Sequence, residues 1–302
     1  MQVTVAKTAG FCFGVRRALE LTPKSAALSP TCTLGELIHN RQVVEELAGQ
    51  GVAVIERPED APAGTAVVIR SHGVGPQVYD TLRAQGSPVI DATCPFVKRI
   101  HQIAAEVPEN GLLLLAGRRE HPEVQGILGY CRGQALVFSS AEEMQELLAF
   151  LPSDGNIPVI LAAQTTFSLR EWEKILFFAK KVCTNLKVFD TICRATIERQ
   201  SEAKQLAQSA DAMVVVGGLH SANTTALAAQ CGSYCPTVQV ETADQLERHR
   251  EALRGARFIG ITAGASTPAC IIKEVQNSMS VLENNTEEMN FGELLDQYSK
   301  SI

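Results

Sequence analysis

The sequence predicts an α/β protein of three similar units with mainly parallel sheets, arranged with pseudo-threefold symmetry so that one thiol from each unit reaches a shared centre. Three observations predict it. Short Val- and Ile-rich runs alternate with helical patterns, as in successive βαβ units. Cys12, Cys94 and Cys193 are each followed 27 positions later by a histidine: His39, His121 and His220. A constant shift of 99 residues lays VIDATC at 89–94 on VFDTIC at 188–193, His121 on His220, and Val159 on Phe258. A register that survives across three elements marks an internal repeat. The first third is shorter and matches less well, but it keeps the Cys-to-His spacing.

In chain order the expected strands are 2–6, 67–70, 88–91, 112–116, 158–162, 186–190, 212–216, 238–240 and 257–261. Nearly every one runs straight into small or polar residues. These exits read SHG from Ser71, ATC from Ala92, REHPE from Arg119, QTT from Gln164, TIC from Thr191, HSAN from His220 and TAGAS from Thr262. Ligands of parallel α/β sheets bind at the carboxyl ends of strands, where loops converge and helix N-termini point at the site. The chemistry is therefore expected on one face.

A chain of 302 residues with 45% hydrophobic content can fill one large core or two to three smaller ones. The repeat divides it into a first α/β unit at 13–93, a second at 94–190, and a third at 191–280 completed by 1–12. An acidic tail follows at 281–302. Its polar composition predicts a frayed segment with one short amphipathic helix. No stretch of about 18 apolar residues is present, and MQVTVAKTAG lacks the pattern of a signal peptide, so a cytosolic protein is expected. A net charge of −6 gives no electrostatic reason to expect nucleic acid or an anionic membrane as main partner. Nine cysteines, an odd number without paired spacing, argue for reduced thiols and against a disulfide framework.

Free cysteines are most often buried core residues. Cys32, Cys131, Cys183, Cys231, Cys235 and Cys270 keep that reading, since the C-x3-C pair at 231 and 235 has no second pair at zinc-finger spacing. Cys12, Cys94 and Cys193 differ: each follows a strand or turn and precedes a helix, whose N-terminus is expected to lower the thiol pKa. Three thiolates suit zinc with a fourth ligand, or an iron-sulfur cube with one iron left open. The open iron favours redox chemistry over a structural role. Around them stand donors suited to phosphate: His39, His72 and His121 from ring nitrogens, and Ser221, Asn223 and Ser266 on turns near helix starts. Glu123 is the carboxylate expected to supply a proton, with Thr165 and Thr166 as a hydroxyl relay.

GFCFGVRRA at 10–18, HN at 39–40, RSHGV at 70–74, DATCPFV at 91–97, HPEV at 121–124, QTT at 164–166, DTICRAT at 190–196 and TAGASTP at 262–268 resemble the LytB family of 4-hydroxy-3-methylbut-2-enyl diphosphate reductases. The resemblance covers about residues 1–278. It implies a trefoil around a central [4Fe-4S] cluster held by Cys12, Cys94 and Cys193. It also implies reductive removal of an allylic hydroxyl, yielding isopentenyl and dimethylallyl diphosphates, the last step of the non-mevalonate isoprenoid pathway. By the same resemblance His39, His72, His121, Ser221, Asn223 and Ser266 bind the diphosphate, Glu123 donates the proton, Thr165 meets the substrate hydroxyl, and ferredoxin or flavodoxin is the electron donor. Two positions depart from the family pattern: Ala222 stands where many relatives have a second serine, and Arg194 where an Asn or aromatic residue often follows the third cysteine. His220, which the repeat selects, is not among the family's binding residues. Two alternatives stand beside this reading, another three-cysteine cluster enzyme on a threefold plan such as quinolinate synthase, and an iron-sulfur sensor without turnover. The tail also resembles the lead-in to S1 RNA-binding modules fused to some relatives.

Overall fold

In the computed structural model the described residues are 1–38, 40–149, 157–182, 185–219 and 221–279. The strands are β1 (Gln2–Val5), β2 (Thr31–Leu34), β3 (Ala53–Ile55), β4 (Ala66–Ile69), β5 (Val89–Asp91), β6 (Leu112–Ala116), β7 (Gln134–Phe138), β8 (Val159–Ala163), β9 (Leu186–Val188), β10 (Ala212–Val216), β11 (Thr237–Val240) and β12 (Phe258–Ala263). The helices are α1 (Phe13–Ala26), α2 (Arg41–Gly49), α3 (Pro76–Ala84), α4 (Pro95–Ala105), α5 (Pro122–Leu128), α6 (Ala141–Ala149), α7 (Leu169–Val182), α8 (Arg194–Ser209), α9 (Ala222–Gly232), α10 (Arg250–Leu253) and α11 over 269–279.

The chain divides into two compact units, Cys12–Ile197 and a second formed by Met1–Phe11 with the chain from Glu198. The larger unit carries two four-stranded sheets, ordered β3-β2-β4-β5 and β7-β6-β8-β9; the other carries β11-β10-β12-β1. Every pairing is parallel. The three sheets thus share one order, in which a central strand pair is flanked by a returning strand on one side and a closing strand on the other. The repeat register is visible in the elements: α4 begins at Pro95 and α8 at Arg194, β8 at Val159 and β12 at Phe258.

The central strands β4, β6, β8 and β10 are buried along their whole length, which is why they read as unbroken apolar runs. Leu113 and Leu115 of β6 pack with Ile100 and Ile103 of α4 and with Val124 and Ile127 of α5. Leu112 and Leu114 point the other way, toward Met144 of α6 and Trp172 and Ile175 of α7. Burying each such leucine contributes about 2 kcal/mol. In the smaller unit, Val214, Val216, Ile259 and Ile261 form one layer with Ile272 and Val275, while Met213 and Val215 meet Ala203, Ala207, Leu227 and Cys231 on the other.

The sequence did not announce β2, β3 and β7. Residues TCTL of β2 carry two threonines, β3 is a three-residue edge strand that is largely exposed, and β7 is an edge strand opening on the exposed Gln134. Strand ends also move: the run expected at 186–190 stops at Val188, and that at 257–261 spans Phe258–Ala263. The tail at 281–302 and the helix expected there lie outside the described residues.

Candidate active site

Each of the three cysteines immediately precedes a helix, Cys12 before α1, Cys94 before α4 and Cys193 before α8. All three are free thiols, as is every other described cysteine. Backbone bonds anchor two of them to neighbouring strand exits: the Cys94 N–H donates to Ser71 O at 3.0 Å, and the Cys193 N–H to Thr165 O at 3.0 Å. The thiols converge. A Cβ placed on Gly14 would lie 3.0 Å from Cys94 Sγ and 3.9 Å from Cys12 Sγ, so glycine there leaves room between two sulfurs. Cys94 in turn feels the charges of both Cys12 and Cys193.

One expectation reverses. Burial pushes the Cys94 thiol up to about 11 and raises Cys193 as well, outweighing the N–H groups of Phe96 and Val97 that favour the Cys94 thiolate. Desolvation of a sulfur anion wins over a few backbone dipoles unless a cation stabilises it. Among the described residues no three His, Cys, Asp or Glu side chains are arranged to hold a single metal ion. Thiolates that each take a different iron of a cluster need not close on one point. The free thiols, their mutual influence and the space left by Gly14 fit such a group.

The remaining candidates of the larger unit lie at equivalent strand exits. His121, after β6, caps α5: its Nδ1 accepts the Glu123 N–H at 3.1 Å, so the ring proton of the neutral imidazole sits on Nε2. Its ring meets that of His72 edge to face, with centroids 5.2 Å apart. Proline at the first position of α5 removes an N–H that has no helical partner and leaves the turn to His121 and Glu123.

Glu123 is only 2% exposed. Its Oε1 accepts the Thr165 N–H at 2.7 Å, and its Oε2 pairs with the Thr165 hydroxyl at 2.8 Å. Burial dominates over both bonds and raises the carboxyl to about 7. A carboxyl sealed in this way holds a proton near neutrality and can release it. Thr166 accepts from Gln164 Nε2 at 3.0 Å, bracing the same turn. The sequence missed one buried neighbour, His101 of α4, which stacks on Tyr130 at 4.5 Å and packs against Gly73 and Gly126. Nothing in its spacing distinguished it from a core residue.

In the smaller unit Ser221 caps α9, its hydroxyl accepting the Thr224 N–H at 3.4 Å. Asn223 is buried, and its Nδ2 has no hydrogen-bond partner among the described residues. A buried amide donor without an acceptor is costly unless a ligand completes it. Ser266, also buried, lies in the turn after β12. Gly217 at the β10 exit has φ +140°, and a Cβ there would meet the hydroxyls of Thr267 and Thr224 at 2.7 and 2.9 Å. His39 and His220 lie outside the described residues, as does the side chain of Ala222.

Fold and site together define a parallel α/β enzyme with a thiol-lined centre beside a buried acid. The family model described as LytB protein matches residues 3–280. A 4-hydroxy-3-methylbut-2-enyl diphosphate reductase of Caldanaerobacter subterraneus subsp. tengcongensis is 40% identical over 294 residues, covering 95% of this chain and 99% of the relative. The reductase of the same name from Geobacter sulfurreducens is 41% identical over 288 residues, 94% of this chain and 99% of its own. A solved structure of (E)-4-hydroxy-3-methyl-but-2-enyl diphosphate reductase, the terminal enzyme of the non-mevalonate pathway, is 38% identical, with a TM-score of 0.64 over 93% of this chain and 99% of that one. The structure of the E-1-hydroxy-2-methyl-but-2-enyl-4-diphosphate reductase from Plasmodium falciparum is 26% identical, with a TM-score of 0.85 over 91% of this chain and 87% of that one. The chain belongs to the LytB family.

Proposed function

We propose that this chain is a cytosolic reductase that removes the hydroxyl of (E)-4-hydroxy-3-methylbut-2-enyl diphosphate to give isopentenyl and dimethylallyl diphosphates. The observation that carries the reading is the Glu123–Thr165 pair: a sealed carboxyl, raised to about 7, bonded to a hydroxyl whose own backbone carbonyl accepts the Cys193 N–H. It sets a proton source next to a candidate cluster ligand.

Cys12, Cys94 and Cys193 would hold a [4Fe-4S] cluster. Bound there, it supplies electrons and keeps one iron without a protein ligand. The overall reaction takes up two electrons and two protons, breaks the allylic C–O bond and releases water. Glu123 holds its proton at Oε2 and delivers it through Thr165 Oγ to the departing oxygen. Thr165 also orients the substrate hydroxyl, and Thr166 braces the same turn. His39, His72, His121, Ser221, Asn223 and Ser266 bind the diphosphate, with His121 donating from Nε2 and Asn223 from Nδ2. Anchoring at the diphosphate fixes the reacting carbon at a distance, so binding energy is used for geometry. Ferredoxin or flavodoxin provides the electrons.

The test is anaerobic purification with iron and sulfide analysis, followed by a reductase assay on the allylic diphosphate. About four irons and four sulfides per chain with turnover is the expected result. A zinc-loaded, inactive protein defeats the proposal.

A further inference from the structure

The residue after each of the three cysteines faces solvent: Phe13, Pro95 followed by Phe96, and Arg194. Phe13 is 56% exposed and Phe96 45%. The two helices that carry these aromatics abut at their first turns. The Arg17 guanidinium donates to the carbonyls of Asp91 at 3.1 Å and Thr93 at 3.4 Å, just ahead of α4. Phe177, the more exposed phenylalanine elsewhere, is covered by the Lys181 ammonium at 3.8 Å from its ring centre.

Charge around the two aromatics is one-sided. The five positions after each cysteine hold Arg16, Arg17, Lys98, Arg99 and Arg194 against one acid, Glu198, on a chain whose net charge is −6. The nearby carboxylate of Asp91 is bridged to Lys98 at 2.6 Å. Neither α1 nor α4 has an acidic residue in its first turn. Cations close to a helix N-terminus oppose the helix dipole, so helix stability does not account for them. An exposed aromatic centre with a rim of one charge suits a transient partner of the opposite charge.

We propose that the surface centred on Phe13 and Phe96, with Arg16 and Arg99 at its rim, docks a small acidic electron-carrier protein. This rests on the reading that the cysteines hold a redox cluster, which an electron donor must approach from outside. Each carrier is oxidised by one electron, so two encounters serve one turnover, in which two protons are taken up, the C–O bond breaks and water leaves.

The test compares two reductants on the cluster-loaded protein: a reduced acidic [2Fe-2S] ferredoxin, and dithionite-reduced methyl viologen, a small cation that needs no docking surface. Arg16→Glu combined with Arg99→Glu is expected to lower ferredoxin kcat/KM at least tenfold at low salt and to flatten its salt dependence. Phe13→Ser is expected to lower it severalfold at every salt concentration. Viologen-driven turnover should stay within twofold of wild type in both variants, and the Kd for oxidised ferredoxin, measured by calorimetry at low salt, should rise at least tenfold in the double arginine variant. Wild-type ferredoxin kinetics in both variants overturn the proposal, and equal losses with both reductants do so too. A wild-type protein that carries the cluster yet fails to turn over with viologen removes the reductase reading, and the docking surface with it.

Discussion

Replacing Glu123 by Gln keeps the shape of the site and removes its proton chemistry. The amide oxygen can still accept the Thr165 N–H, and the new NH2 can donate to the Thr165 hydroxyl, reproducing the two bonds seen at 2.7 and 2.8 Å. The carboxyl is raised from 4.5 to about 7 by burial, so the folded protein binds this proton more tightly than the unfolded chain does. Stability from this source is fully present below pH 4.5 and is lost as pH rises through 7. At 1.36 kcal/mol per pKa unit, the loss reaches about 3 kcal/mol by pH 8. Glu123→Gln carries no such loss. Its stability relative to wild type should therefore match near pH 4 and lead by about 3 kcal/mol at pH 8, measured by urea unfolding across that range under fixed cluster content. Turnover should fall by two or more orders of magnitude with cluster and substrate binding retained. Wild-type turnover with saturating reductant should decline as Glu123 ionises above about pH 7. A stability difference that ignores pH would refute the buried neutral carboxyl, and near-normal turnover of the variant would refute the proton donor.

Gly73→Ala should destabilise the larger unit by about 2–3 kcal/mol in urea melts, because Gly73 has φ +70° and a Cβ would lie 2.6 Å from His101 Cε1 and 2.8 Å from Thr93 Cγ2. Unchanged stability there would mean that loop and ring separate freely. Asn223→Ala should raise KM for the diphosphate substrate about ten- to thirtyfold, as expected for losing a hydrogen bond to a charged group, while thermal stability barely moves, since no atom of the described residues accepts from Nδ2. A drop in melting temperature without a KM change would mark Asn223 as structural. Cys94→Ser should lose iron on anaerobic purification, whereas Cys231→Ser, altering a thiol buried against α8, should retain it; the reverse pattern would remove Cys94 from the ligand set.

Much of this was written in the sequence because parallel sheets declare themselves twice. Their doubly buried strands, such as LLLLA at β6, form continuous apolar runs, and their exits switch abruptly to SHG, QTT or TAGAS. Edge strands lose the first signal: β3 and β7 bury less, so their composition blends into the loops around them. At the site, residue type and spacing were enough to single out Cys12, Cys94, Cys193, Glu123 and Thr165. What they could not supply was the balance of forces on each group. The thiols looked stabilised as anions by helix ends, yet burial dominates at Cys94 and Cys193. Residue type offered Glu123 as a proton source, but only the packing around the α5 start shows it sealed. His101 was invisible because a buried ring wedged between two glycine backbones needs no pattern in the sequence, only close approach in space.

The pairing of β1 with β12 joins Gln2 to Phe258, nearly the full length of the described chain apart. β1 is synthesised some 250 residues ahead of its partner, and closing a loop of that size costs about 5 kcal/mol of chain entropy. The smaller unit is thus expected to be the last to assemble, after the two sheets of Cys12–Ile197 have formed from nearer neighbours. Until then the edge of β1 is a bare row of amide and carbonyl groups, the part of the nascent chain most open to the wrong strand.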